Sequence, residues 1–335
     1  MNRVLRPLRR LAVLVLGLAV LLLAGILVFY AVPVLRCAVA RDVPFRPGLS
    51  YHALLSGGHK RCYLLYVPSS YRADHPAPVV FSLHGFMSDP YDQRHYARWE
   101  SVAETGGFLV VYPQGSSYPL RWNVGPGARI DEVDDVRFLS DMIDELSSLA
   151  AVDPQQIFVT GFSNGGEKTS QIGCALAGRI AAIGVVSGVG PDYPGGCQPV
   201  RPMPVIAFFG TREWTGQAPL WGMPIWLQDL VFNVSAEAFL PGPATPAAWA
   251  EAWALRNGCQ LEPVRTTVSA HVTGDHYTGC ADEAEVVLYT IQGGGHAWPG
   301  GPSVPVPGLG ESTTEIDASR MMWEFFQAHP LVPSP

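Results

Sequence analysis

The stretch "VTGFSNGG", Val159 to Gly166, decides how this chain is read. An apolar run with the character of a buried strand, Ile157 to Thr160, leads straight into it. Gly161-Phe162-Ser163-Asn164-Gly165 then satisfies G-x-S-x-G, the pattern of a strand that turns abruptly into a helix. Glycines are needed two residues either side of the serine because larger side chains would collide in so tight a turn. On such a turn Ser163 is a candidate nucleophile. The competing reading is a polar residue in a glycine-rich loop, since a serine hydroxyl is a weak nucleophile without a base and an oriented acid. The rest of the chain has to supply both.

Backbone donors for a developing oxyanion come first. In "VVFSLHGFMSD" the strand Val79 to Leu83 ends in His84-Gly85, which positions the Phe86 amide beside that of Asn164. Loss of one such donor typically costs about 10²–10³ in rate. His84 is a possible base, but proteins with this turn place the histidine last in chain order, which leaves His84 as a loop-shaping residue. The late histidine is His296, in "IQGGGHAWPGG", presented by three glycines after the strand Glu285 to Ile291. Its bland alternative is an ordinary surface histidine between glycines. The acid is expected between Ser163 and His296, just past a strand. "MPVIAFFGTREWTG" offers Val205 to Phe209 and then Glu213, a carboxylate able to hold the imidazole tautomer. Glu213 could instead pair with Arg212 on a surface turn, and Asp275 and Asp282 are rivals near His296.

Around these residues, strand-like runs alternate with helical patterns. Cys62 to Val67, Phe108 to Tyr112 and Ala181 to Val186 read as further strands. Gln93 to Thr105, Ala244 to Arg256 and Thr314 to Ala328 read as helices. Within Val133 to Leu149 the apolar residues Val136, Leu139, Ile143 and Leu146 recur every three or four positions, so that segment is an amphipathic helix. The alternation predicts an α/β fold with a mostly parallel central sheet covered by helices on both faces. A single domain from 37 to 335 is expected, with an irregular insertion at about 214–243 and no internal repeat.

Composition narrows the function classes. The chain of 335 residues carries a net charge of −7. Arg3, Arg6, Arg9 and Arg10 stand in the first ten positions, and removing those four charges leaves −11 on the remainder, with no basic face for nucleic acid. Leu11 to Leu35 is an uncharged run of 25 residues. A secretory h-region spans about 7–15 residues and a membrane helix needs about 20, so residues 1–36 read as an uncleaved signal anchor. The arginines before it keep the amino terminus in the cytoplasm and the body outside. A long cleaved signal peptide is the alternative. Cys37, Cys62, Cys174, Cys197, Cys259 and Cys280 suit an oxidising compartment. Proximity favours Cys174 with Cys197 and Cys259 with Cys280, leaving Cys37 and Cys62. No C-x-x-C or H-E-x-x-H occurs, so zinc or thioredoxin-like chemistry has no motif behind it.

With these residues in hand, the chain resembles the esterase family of polyhydroxybutyrate depolymerases, feruloyl esterases and acetylxylan esterases. The similarity covers about Lys60 to Pro330 and is carried by "YLLYVPSSY", "LHGF", "GFLVVYPQG", "RWNVG", "DDVRFL", "VDPQQIFVTGFSNGG", "NGC", "GGGHAWPGG" and "WEFFQAHP". The resemblance implies an α/β-hydrolase fold, Ser163 as nucleophile, His296 as base, Phe86 and Asn164 for the oxyanion, and no cofactor. Two departures stand out. The family usually has an aspartate in a histidine-glycine-threonine-x-aspartate stretch, where this chain reads Phe209-Gly210-Thr211-Arg212-Glu213. The following segment, with Trp221, Ile225, Trp226, Leu230 and Phe232, reads either as a substrate-facing flap or as residues packed on the core or a membrane. Trp122 and Trp298 read equally as pocket lining or as packing. The sequence thus points to a serine carboxylic-ester hydrolase acting on a small-molecule or polymer ester. A tethered binding protein of the same fold and a serine peptidase are the alternatives. The oligomeric state is not encoded in any motif.

Overall fold

The computed structural model describes residues 2–40, 43–116, 119–124, 133–190, 196–213, 245–304 and 309–332. The insertion expected at 214–243, with its proposed flap, lies outside the described residues. The chain divides into two compact units, Met1–Arg41 and Asp42–Pro335.

The first unit is one helix, α1 (Asn2–Val39). Among the described residues no helix is long and apolar enough to cross a membrane, so the expected spanning anchor finds no support here.

Among its described residues the second unit has ten strands: β1 (Gly48–Ser56), β2 (His59–Val67), β3 (Ala77–Leu83), β4 (Leu109–Pro113), β5 (Val152–Phe162), β6 (Ala182–Val186), β7 (Val205–Gly210), β8 (Val264–Thr267), β9 (Val272–Tyr277) and β10 (Val286–Ile291). They form one sheet in the order β1-β2-β4-β3-β5-β6-β7-β10-β9-β8. The run from β4 to β10 is parallel throughout, with antiparallel pairs at both edges. Parallel strands are covered on both faces and read as unbroken apolar runs, as "LVVYP" and "AIGVV" do, every residue buried.

Helices α2 (Pro90–Ala97), α3 (Trp99–Gly106), α4 (Asp135–Leu149), α5 (Asn164–Ala175), α6 (Pro246–Arg256) and α7 (Ala318–Ala328) divide between two cores. Phe138 and Met142 of α4, Ile172 of α5 and Trp249 and Trp253 of α6 pack on one face. Trp99 of α3 and Met322, Trp323 and Phe326 of α7 pack on the other. Asp134, Thr245 and Asp317 cap α4, α6 and α7 by accepting first-turn amides.

Three differences from the sequence expectation are local. The single helix expected over Gln93 to Thr105 is two, broken at Arg98, whose φ of +51° stops the helical ladder. The β1–β2 hairpin was not anticipated, although Gly57 and Gly58 supply the two positive φ angles of a tight hairpin turn. The outer strands β8 and β9 were not anticipated either, and β8 has no buried residue and hence no apolar alternation to read. Cys174–Cys197 and Cys259–Cys280 are bonded as expected, and no described cysteine is free.

Candidate active site

Ser163 sits between β5 and α5 with φ +54° and ψ −122°, a conformation that costs a non-glycine residue energy and persists only where packing enforces it. Packing enforces it here. A Cβ on Gly161 would run into the Gly165 carbonyl, and one on Gly165 would run into the carbonyls of Leu83 and His84 at the end of β3. Ser163 heads α5 without capping it by its side chain, so its hydroxyl is not spent on the helix. Its amide donates to Val186 O at 2.9 Å, which ties the turn to β6.

The loop after β3 is organised by His84. The Gly115 amide can only donate, so His84 Nε2 accepts it at 2.9 Å, and Nδ1–H is left to donate to Gly85 O at 2.7 Å. Complete burial lowers the His84 pKa to about 4, which keeps this ring neutral. Gly85 O and the Phe86 N–H share one planar peptide group, so turning Gly85 O toward the ring points the Phe86 N–H the opposite way. A Cβ on Gly85 would stand 3.4 Å from Ser163 Cβ. The Asn164 amide is at the first position of α5, where helix geometry offers no acceptor. Its side chain is clamped: Oδ1 accepts from Trp122 N at 2.8 Å, and Nδ2 donates to Trp122 O at 3.3 Å. The Trp122 indole donates to His84 O at 2.8 Å.

Behind this loop lies a support that sequence reasoning missed. Asp135 Oδ2 accepts the Asn123 amide at 2.8 Å and has Lys168 Nζ 3.9 Å away, while Oδ1 receives Arg61 at 2.8 Å. All three charged side chains are buried. Lys168 is one of only two lysines in the chain, and Asp135 falls in "DDVRFL"; those were the available signals. One turn past Ser163, the Glu167 carboxyl is enclosed although part of its side chain remains exposed. Burial pushes its pKa up to about 7.

Glu213 and His296 meet. His296 Nδ1 is 3.3 Å from Glu213 Oε2. Glu213 Oε1 is held by Gly210 N and Ser187 Oγ, both at 2.7 Å. Asp275 is taken by Arg265 in a two-pronged pair at 2.6 and 2.8 Å, and Asp282 sits in a short 3₁₀ turn; neither contacts His296. The His296 ring lies 5.0 Å from that of Phe162, the residue before Ser163. No hydrogen bond joins Ser163 to His296. Trp122 and Trp298 are only 2% and 1% exposed. Their N–H groups go to His84 O and Ser319 Oγ, so both pack the scaffold and neither turns a ring face to solvent. Among the described residues there is no cluster of three or more potential metal ligands.

The strand order and the strained serine between a strand and a helix define the class: this is an α/β-hydrolase fold. An acetyl xylan esterase from Aspergillus awamori superposes with a TM-score of 0.54 at 14% identity, over 83% of this chain and 99% of that one. At that identity it shows the fold alone. Within the class, the chain is similar to feruloyl esterases and polyhydroxybutyrate depolymerases. Feruloyl esterase B of Piromyces equi is 31% identical over 251 residues, 69% of this chain and 41% of the relative. A poly(3-hydroxybutyrate) depolymerase of Ralstonia pickettii is 24% identical over 266 residues, 74% and 52% of the two chains. This chain thus spans about half the length of these relatives. No family model matches it.

Proposed function

We propose that this protein is a serine carboxylic-ester hydrolase that works through an acyl-enzyme on an ester outside the cytoplasm, of the polyhydroxyalkanoate, feruloyl or acetyl type. The observation that carries the reading is the 3.3 Å contact between Glu213 and His296 at the same sheet end as the strained Ser163. Ser163 Oγ attacks the ester carbonyl and passes its proton to His296 Nε2, while Glu213 holds Nδ1–H and favours the imidazolium. The amides of Phe86 and Asn164 receive the oxyanion. Collapse expels the alcohol, protonated by His296. The neutral imidazole then takes a proton from water, whose attack on the acyl-enzyme frees the acid and regenerates Ser163. Contacts between nucleophile and base are often long in free enzymes and tighten on binding, which accommodates the open Ser163–His296 approach.

The experiment is covalent labelling with a fluorophosphonate, read by peptide mass, together with hydrolysis of p-nitrophenyl esters of graded chain length. Label on Ser163, and its absence in Ser163→Ala with kcat down by about 10⁴-fold or more, is the expected result. A chain that takes no label and cleaves no ester sinks the reading. Export is part of the proposal, by tether or by release. An intact amino terminus in the membrane fraction supports the tether, and a mature form starting near residue 32 overturns it.

A further inference from the structure

Between the serine turn and the acid turn runs a three-residue crossing, Val186-Ser187-Gly188, that no motif in the sequence singled out. Each residue touches one or both sides. Val186 O accepts the Ser163 amide at 2.9 Å. The Ser187 amide donates to Phe208 O of β7 at 3.0 Å, and Ser187 Oγ donates to Glu213 Oε1 at 2.7 Å. A Cβ on Gly188 would meet the Gly166 backbone and Ser163 O at 2.6–2.7 Å, so only glycine lets the crossing lie flat against the serine turn.

Ser187 itself has φ +54°, the left-handed region that favours glycine. A serine held there carries strain that glycine would relieve, and such strain persists where the side chain serves a purpose. The purpose visible here is the hydroxyl bond to Glu213. Glutamate has one more rotatable bond than the aspartate that the resemblance leads one to expect, and a longer carboxylate needs more to fix it. Gly210 N and Ser187 Oγ both fall on Oε1, which leaves Oε2 directed at His296 Nδ1.

We infer that Ser187 is the positioning residue of Glu213: its strained backbone aims a hydroxyl that locks the longer carboxylate into reach of His296, and the crossing it belongs to ties acid and nucleophile into one rigid unit. The inference rests on Glu213 acting as the acid. It predicts that removing the hydroxyl lowers kcat on p-nitrophenyl acetate by roughly 10–10²-fold with KM nearly unchanged, the cost of a misplaced catalytic group.

The test is a double-mutant cycle in the full chain, with circular dichroism and thermal melting to follow folding. Ser187→Ala removes the hydroxyl and keeps a Cβ in the strained position, whereas Ser187→Gly removes both hydroxyl and strain. Both should lose kcat alike, although Ser187→Gly should melt no lower than Ser187→Ala. Combined with Glu213→Gln, neither should cost anything further, because they act only through that carboxylate. If Glu213→Gln lowers kcat steeply and the Ser187 variants do not, the inference falls and the proposed mechanism stands. If the two losses simply add, Ser187 acts elsewhere and the inference is equally overturned. If Glu213→Gln leaves kcat unchanged, the assignment of the acid fails and takes the inference with it.

Discussion

The serine turn and the acid turn lie at the same end of the sheet, yet they are held by different means. Around Ser163 the restraint is steric: Gly161 and Gly165 are pressed against backbone carbonyls with no room for one more carbon. Around Glu213 the backbone is as close-packed, Gly210 lying against the Gly294 carbonyl, but the carboxylate itself is held chemically: a backbone amide and a serine hydroxyl converge on one of its oxygens. Close packing responds to change abruptly, because backbone has nowhere to go, whereas a hydrogen-bonded side chain can be loosened by degrees. The lesson is that the two halves of one site should fail differently when perturbed.

The sharpest way to break this contrast is to change one carbon in each half, adding it to the serine turn and removing it from the acid. Gly165→Ala drives a Cβ into the carbonyls of Leu83 and His84, displacing nucleophile and oxyanion donor together. Its kcat on p-nitrophenyl acetate should fall by about 10³-fold or more, with a lowered melting temperature. Glu213→Asp shortens the acid by one methylene and should keep the melting temperature while losing roughly 10–10²-fold. Equal losses from the two changes would refute the distinction.

The donor loop, held by buried charge, tests an intermediate case. Asp135→Ala strands Arg61 and Lys168 in the interior and releases Asn123. Urea unfolding should show about 3–5 kcal/mol less stability, the usual cost of breaking a buried pair. A loss below about 1 kcal/mol would mean that water reaches the cluster.

The smallest effect concerns pH. Glu167 has a folded pKa raised to about 7, so the native state binds its proton more readily than the unfolded chain between about 4.5 and 7. Its contribution is therefore fully present below about 4.5 and is lost as pH rises through 7. His84 runs the other way. Its folded pKa is lowered to about 4, so its contribution is present above about 6.5 and is lost as pH falls toward 4. Relative to Glu167→Gln, the wild type should gain up to about 3 kcal/mol on acidification from pH 7 to 4.5. Parallel stability curves for the two proteins would show that the Glu167 carboxyl is solvated.

Much of this was legible in the chain. Apolar runs such as "LVVYP" announce buried parallel strands because both their faces are covered. The G-x-S-x-G turn, the donor loop and the late histidine are legible because each needs glycines at fixed offsets. Strand β8 and the break at Arg98 were not, since neither a fully exposed edge strand nor a left-handed arginine leaves a pattern. Trp122 and Trp298 carried no mark to separate lining from packing; burial alone distinguishes them.

By itself the sequence determined the parallel centre of the sheet, the two layers of helices and the turn that strains Ser163, because those follow from local periodicity and from where only glycine fits. Tertiary structure alone decided which carboxylate reaches His296. Asp275, Asp282 and Glu213 are chemically alike and all lie between Ser163 and His296 in the chain; the strand before Glu213 favoured it without excluding the other two. What separates them is the company brought by distant strands: Arg265 occupies Asp275, whereas Ser187 and Gly210 turn Glu213 toward the imidazole.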